Sequence, residues 1–481
     1  MTPTRFHITT HGCRVNRVES DAIAAQLLAA GWEQAPLEEA QIALLNTCTV
    51  TGEADHKNRK AIRQALKRQD GPVLVTGCAV NVAAADYEAL DPRVCCEPDK
   101  TQVAERALAL LSREEGCEGT GPADAGSVAR EVTRGDRPRE ERTARGQAPQ
   151  MQAASRVESR VGTGPTSSEG TGPAEGVDNI VTQGDRPRTL VPYGEGFRTR
   201  SGIKVQDGCD NACTFCIVHT ARGAARSENP REVLRQASEL VEAGARELVL
   251  VGIDTGAYRW EDMDLAGLIE LLLEKTSVGR IRIPSIEPQS VTRPLMELMA
   301  TSEGRLCRHL HLVMQSGSSK VLREMDRRYS AEDFLKLVQE LRRRVPGIAL
   351  STDLIAGFPG ESDEDFEATC AMVRACGFMK LHVFPYSKRP GTPAAQRADQ
   401  VPPQLIAERA ARLSELGRRL SLEDARSRLG CTETAVVERP GRGTSESFHE
   451  LRFSDELPLG ELVHMRLDSV GEDGVISATA L

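Results

Sequence analysis

The run Lys204-Val-Gln-Asp-Gly-Cys-Asp-Asn-Ala-Cys-Thr-Phe-Cys-Ile217 places Cys209, Cys213 and Cys216 on one short loop, directly after a β-patterned segment. Three thiolates at C-x3-C-x2-C spacing suit three irons of a [4Fe–4S] cube. No fourth cysteine follows nearby, so the fourth iron stays open to a ligand. An open iron marks a cluster that performs chemistry on something bound. The competing reading is a zinc knot. Zinc prefers paired C-x2-C or Cys/His sets with four ligands, and His219 is available as a fourth.

Outward from this loop, strand and helix patterns alternate. Strands are expected at Gly202–Gln206, Glu247–Val251, Arg280–Ile286, His309–Met314, Ile348–Ile355 and Lys380–Pro385. Helical spacing falls between them at Pro230–Ala243, Leu265–Glu274, Thr292–Met299, Ala331–Arg344 and Asp363–Cys376. Six strand–helix units fit an open, partial (β/α)6 barrel whose active site lies at the carboxyl ends of its strands. With a helix-rich connector, Pro403–Arg428, this unit spans 198–428. Residues 429–481 read as all-β, with short runs at Thr434–Glu438, Phe448–Phe453, Leu462–Leu467 and Gly474–Ala478, enough for a small barrel of the oligonucleotide-binding kind.

Upstream, residues 113–197 are rich in Gly, Pro, Ser, Thr, Arg and Glu and nearly free of large apolar residues, so a disordered linker is expected. The stretch repeats itself: Gly119-Thr-Gly-Pro-Ala-Asp and Val132-Thr-Arg-Gly-Asp-Arg-Pro-Arg139 recur as Gly170-Thr-Gly-Pro-Ala-Glu and Val181-Thr-Gln-Gly-Asp-Arg-Pro-Arg188. Residues 1–112 alternate strands (Phe6–Thr9, Ile42–Leu45, Val73–Thr76, Arg93–Cys95) with helices (Ser20–Ala30, Ala54–Gln69), which predicts a parallel sheet with right-handed crossovers.

In this first domain Cys13, Cys48 and Cys78 each follow the end of an expected strand. The carboxyl ends of parallel strands share one edge, where ligands bind. Three cysteines so placed converge and suit a second cluster with an open iron. Three unrelated core cysteines are the alternative. Of the adjacent pair Cys95 and Cys96, at most one side chain faces that edge. Cys307, Cys370, Cys376 and Cys431 read as packing residues, and Cys117 falls in the linker.

The chain has 481 residues, 13 cysteines and a net charge of −9. No apolar run is long enough to span a bilayer and no signal pattern opens the chain, so a cytoplasmic protein with no membrane association is expected. Its cysteines then point to metal or catalytic use over disulfides. The negative charge argues against a generic nucleic-acid binder. The basic stretches Lys57 to Arg68, Arg323 to Arg344 and Arg409 to Arg428 read as solvated helix faces.

Taken together, His11-Gly-Cys-Arg-Val-Asn16, Asn46-Thr-Cys-Thr-Val-Thr51, Thr76-Gly-Cys-Ala79, Gln206-Asp-Gly-Cys-Asp-Asn-Ala-Cys-Thr-Phe-Cys216 and Ala221-Arg-Gly-Ala-Ala-Arg-Ser227 resemble the motifs of the radical S-adenosylmethionine (SAM) methylthiotransferases. The resemblance covers nearly the whole chain outside the linker, which has no counterpart in the family pattern. It implies SAM on the open iron of the Cys209/Cys213/Cys216 cluster, an auxiliary [4Fe–4S] cluster on Cys13, Cys48 and Cys78, and a terminal TRAM barrel that helps to hold substrate. Gln315 in Gln315-Ser-Gly-Ser318 and Gly357 in Ala356-Gly-Phe-Pro-Gly-Glu361 are the implied SAM contacts, although strand-end punctuation also explains such residues.

Among the family's branches, Val251-Gly-Ile-Asp-Thr-Gly256, Leu306-Cys-Arg-His-Leu-His311 and His382-Val-Phe-Pro-Tyr-Ser-Lys-Arg-Pro-Gly-Thr-Pro393 resemble most closely the one acting on N6-threonylcarbamoyladenosine of tRNA. Asp254 stands where that branch usually carries His. The implied reaction takes hydrogen from C2 of the adenine with a 5′-deoxyadenosyl radical and installs a methylthio group there, next to the anticodon. Partners would be the tRNA anticodon loop and an electron donor such as a flavodoxin or ferredoxin. Phe448 and Phe453 would either stack on RNA or fill the terminal barrel's core. Isopentenyladenosine of tRNA and a ribosomal-protein aspartate are the alternative substrates, and an RNA-binding metalloprotein is the non-enzymatic alternative.

Overall fold

The computed structural model describes residues 3–49, 52–112 and 199–481. The expected linker, 113–197, and Cys117 within it lie outside the described residues.

In the amino-terminal sheet five parallel strands lie in the order Glu33–Gln34, Arg5–Thr10, Ile42–Thr47, Val73–Gly77, Val94–Cys96. Every residue of Ile42–Thr47 and Val73–Gly77 is buried, as central strands covered on both faces require. Ile42, Leu44 and Leu74 pack with Ile23 and Leu27 of the Arg14–Ala29 helix and Val103 and Ala107 of the Val103–Ser112 helix. Ala43, Leu45, Val73 and Val75 face the other way, onto Ile62 of Gly52–Arg68 and Val80 and Tyr87 of Val80–Glu88. Cys95 joins the first cluster and Cys96 the second, as strand alternation demands.

The helix expected from Ser20 begins six residues earlier, at Arg14. Its first turns carry Asn16 and Glu19, polar residues that interrupt the apolar period yet are buried, at 0% and 6% exposure. They are buried because they have partners, described below.

The six central strands occur where expected, in two parallel triples. One runs Arg280–Arg282, Glu247–Val251, Arg200–Lys204; the other runs His309–His311, Ala349–Ala356, Lys380–Pro385. Single bridges from Ile281 to Leu306 and from Ile286 to Leu312 join the triples. The ladder thins at this seam, which is why the third and fourth strands are shorter than their apolar runs. Arg200–Lys204 and Lys380–Pro385 are both edges, so the barrel is open. Leu248, Leu250, Ile281, Leu310, Leu350 and Leu354 lie beneath the surrounding helices in the largest core cluster. The alternate residues Glu247, Arg280, Arg282, His309, His311, Ser351 and Asp353 therefore face the lumen.

Helix Pro403–Ser427 sends Leu413 and Leu416 into that cluster and Ala425 into the core of the last unit. That unit is a closed barrel ordered Thr432–Arg439, Arg442–Ser445, Glu450–Arg452, Ile476–Ala480, Leu462–Val470. Buried ion pairs secure it to the larger barrel. Arg280 and Arg282, 1% and 0% exposed, both pair with Glu247 and donate to the carbonyls of Thr434, Thr444, Ser445 and Glu446. Burial alone would push the Glu247 carboxyl up, but the two guanidiniums hold it at about 2. No helix among the described residues is long and apolar enough to cross a membrane.

Candidate active site

The loop carrying Cys209, Cys213 and Cys216 runs between Gln206–Asp207 and the short helix Val218–Arg222. Backbone bonds fix its shape: Cys209 N–H donates to Gly223 O at 3.1 Å, Cys216 N–H to Cys213 O at 3.0 Å, and Thr214 N–H to Met325 O at 3.2 Å. The Gln206 side chain holds the loop to the next strand end, accepting from the N–H of Ile253 and Asp254 and donating to the carbonyls of Asp207 and Gly208. Burial pushes the Cys216 thiol up to about 12, and Cys209 and Cys213 also upward. A metal that binds this set must therefore displace protons from buried thiols. Arg327 assists at one of them, with Nη1 3.3 Å from Cys213 Sγ while it also pairs with Glu287.

Three thiols on one loop, with no fourth cysteine beside them among the described residues, match the donor set of a cube that leaves one iron open. His219, the candidate fourth zinc ligand, is exposed. Among the described residues no three His, Cys, Asp or Glu side chains gather tightly enough to share one ion. A cube does not ask for that, because each thiolate takes its own iron. Beside the loop, Asp254 Oδ2 accepts from Asn211 at 3.1 Å, while Oδ1 is buried with no hydrogen-bond partner. Such an atom suits a ligand bearing donor groups.

The second cysteine set also comes together. Cys48 and Cys78 follow directly on Ile42–Thr47 and Val73–Gly77, and Cys13 starts the Arg14–Ala29 helix. Asn16 lies among them, its Oδ1 3.6 Å from Cys13 Sγ and 3.9 Å from Cys78 Sγ. Gly12, next to Cys13, is so close to Cys48 that an added Cβ would stand 3.2 Å from its Sγ.

One guanidinium joins the two sets. Arg222, 6% exposed, lies six residues beyond Cys216. Its Nε donates to Cys78 Sγ at 3.0 Å, Nη2 to Asn16 Oδ1 at 2.6 Å, and Nη1 to Glu19 Oε1 and Asp207 Oδ1, both at 2.9 Å. Burial opposes charge on Asp207, yet Arg222 and Lys204 hold its carboxyl well below the usual range. Arg389 makes a second tie, to Thr49 beside Cys48 and to Asp55. Of these residues the sequence motifs contain Asn16, Asp207 and Arg222 without assigning them roles. Glu19 carries no periodic or spacing signal of its own, and Arg327, in a basic stretch expected to be a solvated helix face, is instead buried against Glu287 and Cys213.

Neither Gln315 nor Gly357 bonds to these thiols or guanidiniums among the described residues. Gln315, at φ +65°, is a non-glycine residue in the left-handed region, held by bonds from its N–H to Asp353 O and from Ile355 N–H to its carbonyl. At Gly357, φ +77°, an added Cβ would stand 2.4 Å from Ile406 of the long helix, and its N–H donates to Glu361 Oε2. In the lumen His311 bonds to Ser351 and Asp353, and His309 to the same Ser351 oxygen. Burial and nearby cations push His309 well below its ordinary value, which keeps it neutral.

Phe453 is 7% exposed and fills the small barrel's core. Phe448 is half-buried, its ring 4.8 Å from that of His309 and beneath the guanidiniums of Arg14, Arg200 and Arg282 at 5.0–5.7 Å.

Comparison with known proteins gives two family matches: the Radical SAM superfamily over residues 203–373, and the family described as Uncharacterized protein family UPF0004 over residues 5–96. The chain is 37% identical to the threonylcarbamoyladenosine tRNA methylthiotransferase MtaB of Bacillus subtilis, over 88% of this chain and 82% of that protein. It is 32% identical to the protein of the same name from Chlamydia pneumoniae, over 98% and 97%. A tRNA-2-methylthio-N(6)-dimethylallyladenosine synthase from Acidothermus cellulolyticus is 31% identical over 99% and 85%. Among solved structures, the radical SAM methyltransferase TsrM from Kitasatospora setae, with cobalamin and a [4Fe-4S] cluster bound, shares the fold at a TM-score of 0.53 and 14% identity. It covers 82% of this chain and 74% of that one.

Proposed function

The chain belongs to the radical SAM methylthiotransferase family, and from that membership we propose that it methylthiolates C2 of N6-threonylcarbamoyladenosine next to the anticodon of tRNA. Cys209, Cys213 and Cys216 would hold one [4Fe–4S] cluster, with SAM on its open iron, and Cys13, Cys48 and Cys78 a second. When bound, these groups supply reductive cleavage of SAM and the sulfur to be transferred.

The observation that carries the reading is the Arg222 tie. A two-cluster reaction at one carbon needs both clusters facing a common space, and the guanidinium that bonds Cys78 begins six residues after Cys216. The protein's own residues then have definite tasks. Arg327 donates to Cys213 Sγ and Arg222 to Cys78 Sγ, and Arg327 offsets part of the burial that pushes the Cys213 thiol up. Asp254 Oδ1 offers an acceptor to the donor groups of SAM. The base must leave its stack in the anticodon loop to reach this space. The relatives named for threonylcarbamoyladenosine favour that substrate, and those named for dimethylallyladenosine keep the second tRNA substrate as the alternative. A small electron carrier such as a flavodoxin or ferredoxin would provide the reducing equivalents.

Mass spectrometry of tRNA nucleosides from cells deleted for this chain tests the substrate. Loss of 2-methylthio-N6-threonylcarbamoyladenosine, with accumulation of its precursor, is expected. An unchanged level of that nucleoside would sink the assignment.

A further inference from the structure

A cavity of about 340 Å³ lies between the three folded parts, lined by Arg14, Arg17 and Asp21 of the amino-terminal helix, Arg200 and Val249 of the barrel and Glu438 of the terminal barrel. Its cations are not all matched. Among the described residues no acceptor bonds to the Arg14 guanidinium, which rests on the Phe448 ring 5.7 Å from its centroid. Arg200 gives Nε to Glu438 at 2.7 Å, but its Nη1 is buried with no hydrogen-bond partner. Glu438 is already engaged, by that arginine and by the Thr444 hydroxyl at 2.8 Å. Arg282, above the same ring, is matched by Glu247. Arg14 is exposed beside this cavity, and the buried Arg200 Nη1 lacks an acceptor; such donors suit an anion, and a planar fork matches a carboxylate well.

Position narrows the choice. Arg14 directly follows Cys13, so this anion site is one peptide bond from the second thiol set. On a purine, C2 and C6 flank N1. A base that presents C2 to the thiols therefore carries its N6 substituent along the neighbouring edge. We propose that the cavity is a subsite for the carboxylate of an amino-acid substituent on N6 of the substrate adenosine, with Arg14 as its specificity-determining residue and Arg200 beside it. The proposal rests on the substrate reading given above. A cavity of this size suits a side group, whereas a phosphodiester strand needs an open groove with two exits.

The test measures equilibrium binding of three anticodon stem-loop RNAs that differ only at one adenosine, carrying N6-threonylcarbamoyl, its methyl ester, or isopentenyl. The wild-type protein should bind the carboxylate RNA about tenfold more tightly than the ester, the scale of one hydrogen bond to a charged group. Arg14→Gln should bind both with the ester's affinity while keeping its iron content, and Arg14→Lys should recover part of the preference. Equal weakening of both RNAs in Arg14→Gln, as a backbone-phosphate contact would give, overturns the proposal; so does an unchanged preference. If the wild type methylthiolates the carboxylate RNA but does not distinguish it from the ester, the subsite fails and the substrate reading stands. If it prefers and modifies the isopentenyl RNA, both fail.

Discussion

Single residues decide whether the thiols meet. Gly77 has φ +101°, and a Cβ there would stand 2.3 Å from Thr47 O. Gly77→Ala should therefore shift Cys78 and lower the iron bound at the amino-terminal set, leaving the other set loaded. Iron analysis beside a Cys209→Ala control checks this; full loading at both sets would contradict it. Arg222 neutralises two buried carboxylates at once. Arg222→Met leaves Glu19 and Asp207 buried without their main cation, a loss of about 3–5 kcal/mol. A denaturant midpoint within error of wild type would contradict that role. The cysteines were legible in the sequence because their spacing and strand-end positions are local facts. Arg222, Glu19 and Asp207 meet only through folding, and their chemistry leaves no periodic mark.

At the scale of elements, the same contrast explains what the sequence showed and hid. Ala331–Arg344 and Asp363–Cys376 were legible to the residue because each begins with a Ser capping box, Ser330/Asp333 and Ser362/Asp365. The first turns of Arg14–Ala29 were missed, because buried polar residues replace the apolar stripe there. The two barrels meet on another set of buried charges, Glu247 with Arg280 and Arg282. The Glu247 carboxyl, held at about 2 against an ordinary 4.5, contributes stability that is full above pH 4.5 and is lost as pH falls through about 2. Glu247→Gln leaves two buried guanidiniums uncompensated, at a loss of about 3–5 kcal/mol. Its acid-unfolding curve should also be flatter than wild type between pH 4.5 and 2. A parallel curve would show that the pairing contributes nothing in that window.

For the whole molecule, the claim is that two thiol sets from separate parts of the chain serve one site. Arg222 and Arg389 both run between the amino-terminal sheet and the central barrel, and Phe448 brings the terminal barrel to Arg14 beside Cys13. All of these contacts lie within the described residues. The most direct measurement is iron and sulfide per chain after anaerobic reconstitution of three proteins: wild type, the Cys13/Cys48/Cys78→Ala triple variant and the Cys209/Cys213/Cys216→Ala triple variant. Two cubes predict about eight irons in the first and about four in each of the others. About four irons in wild type, with no loss in the amino-terminal variant, would contradict the account.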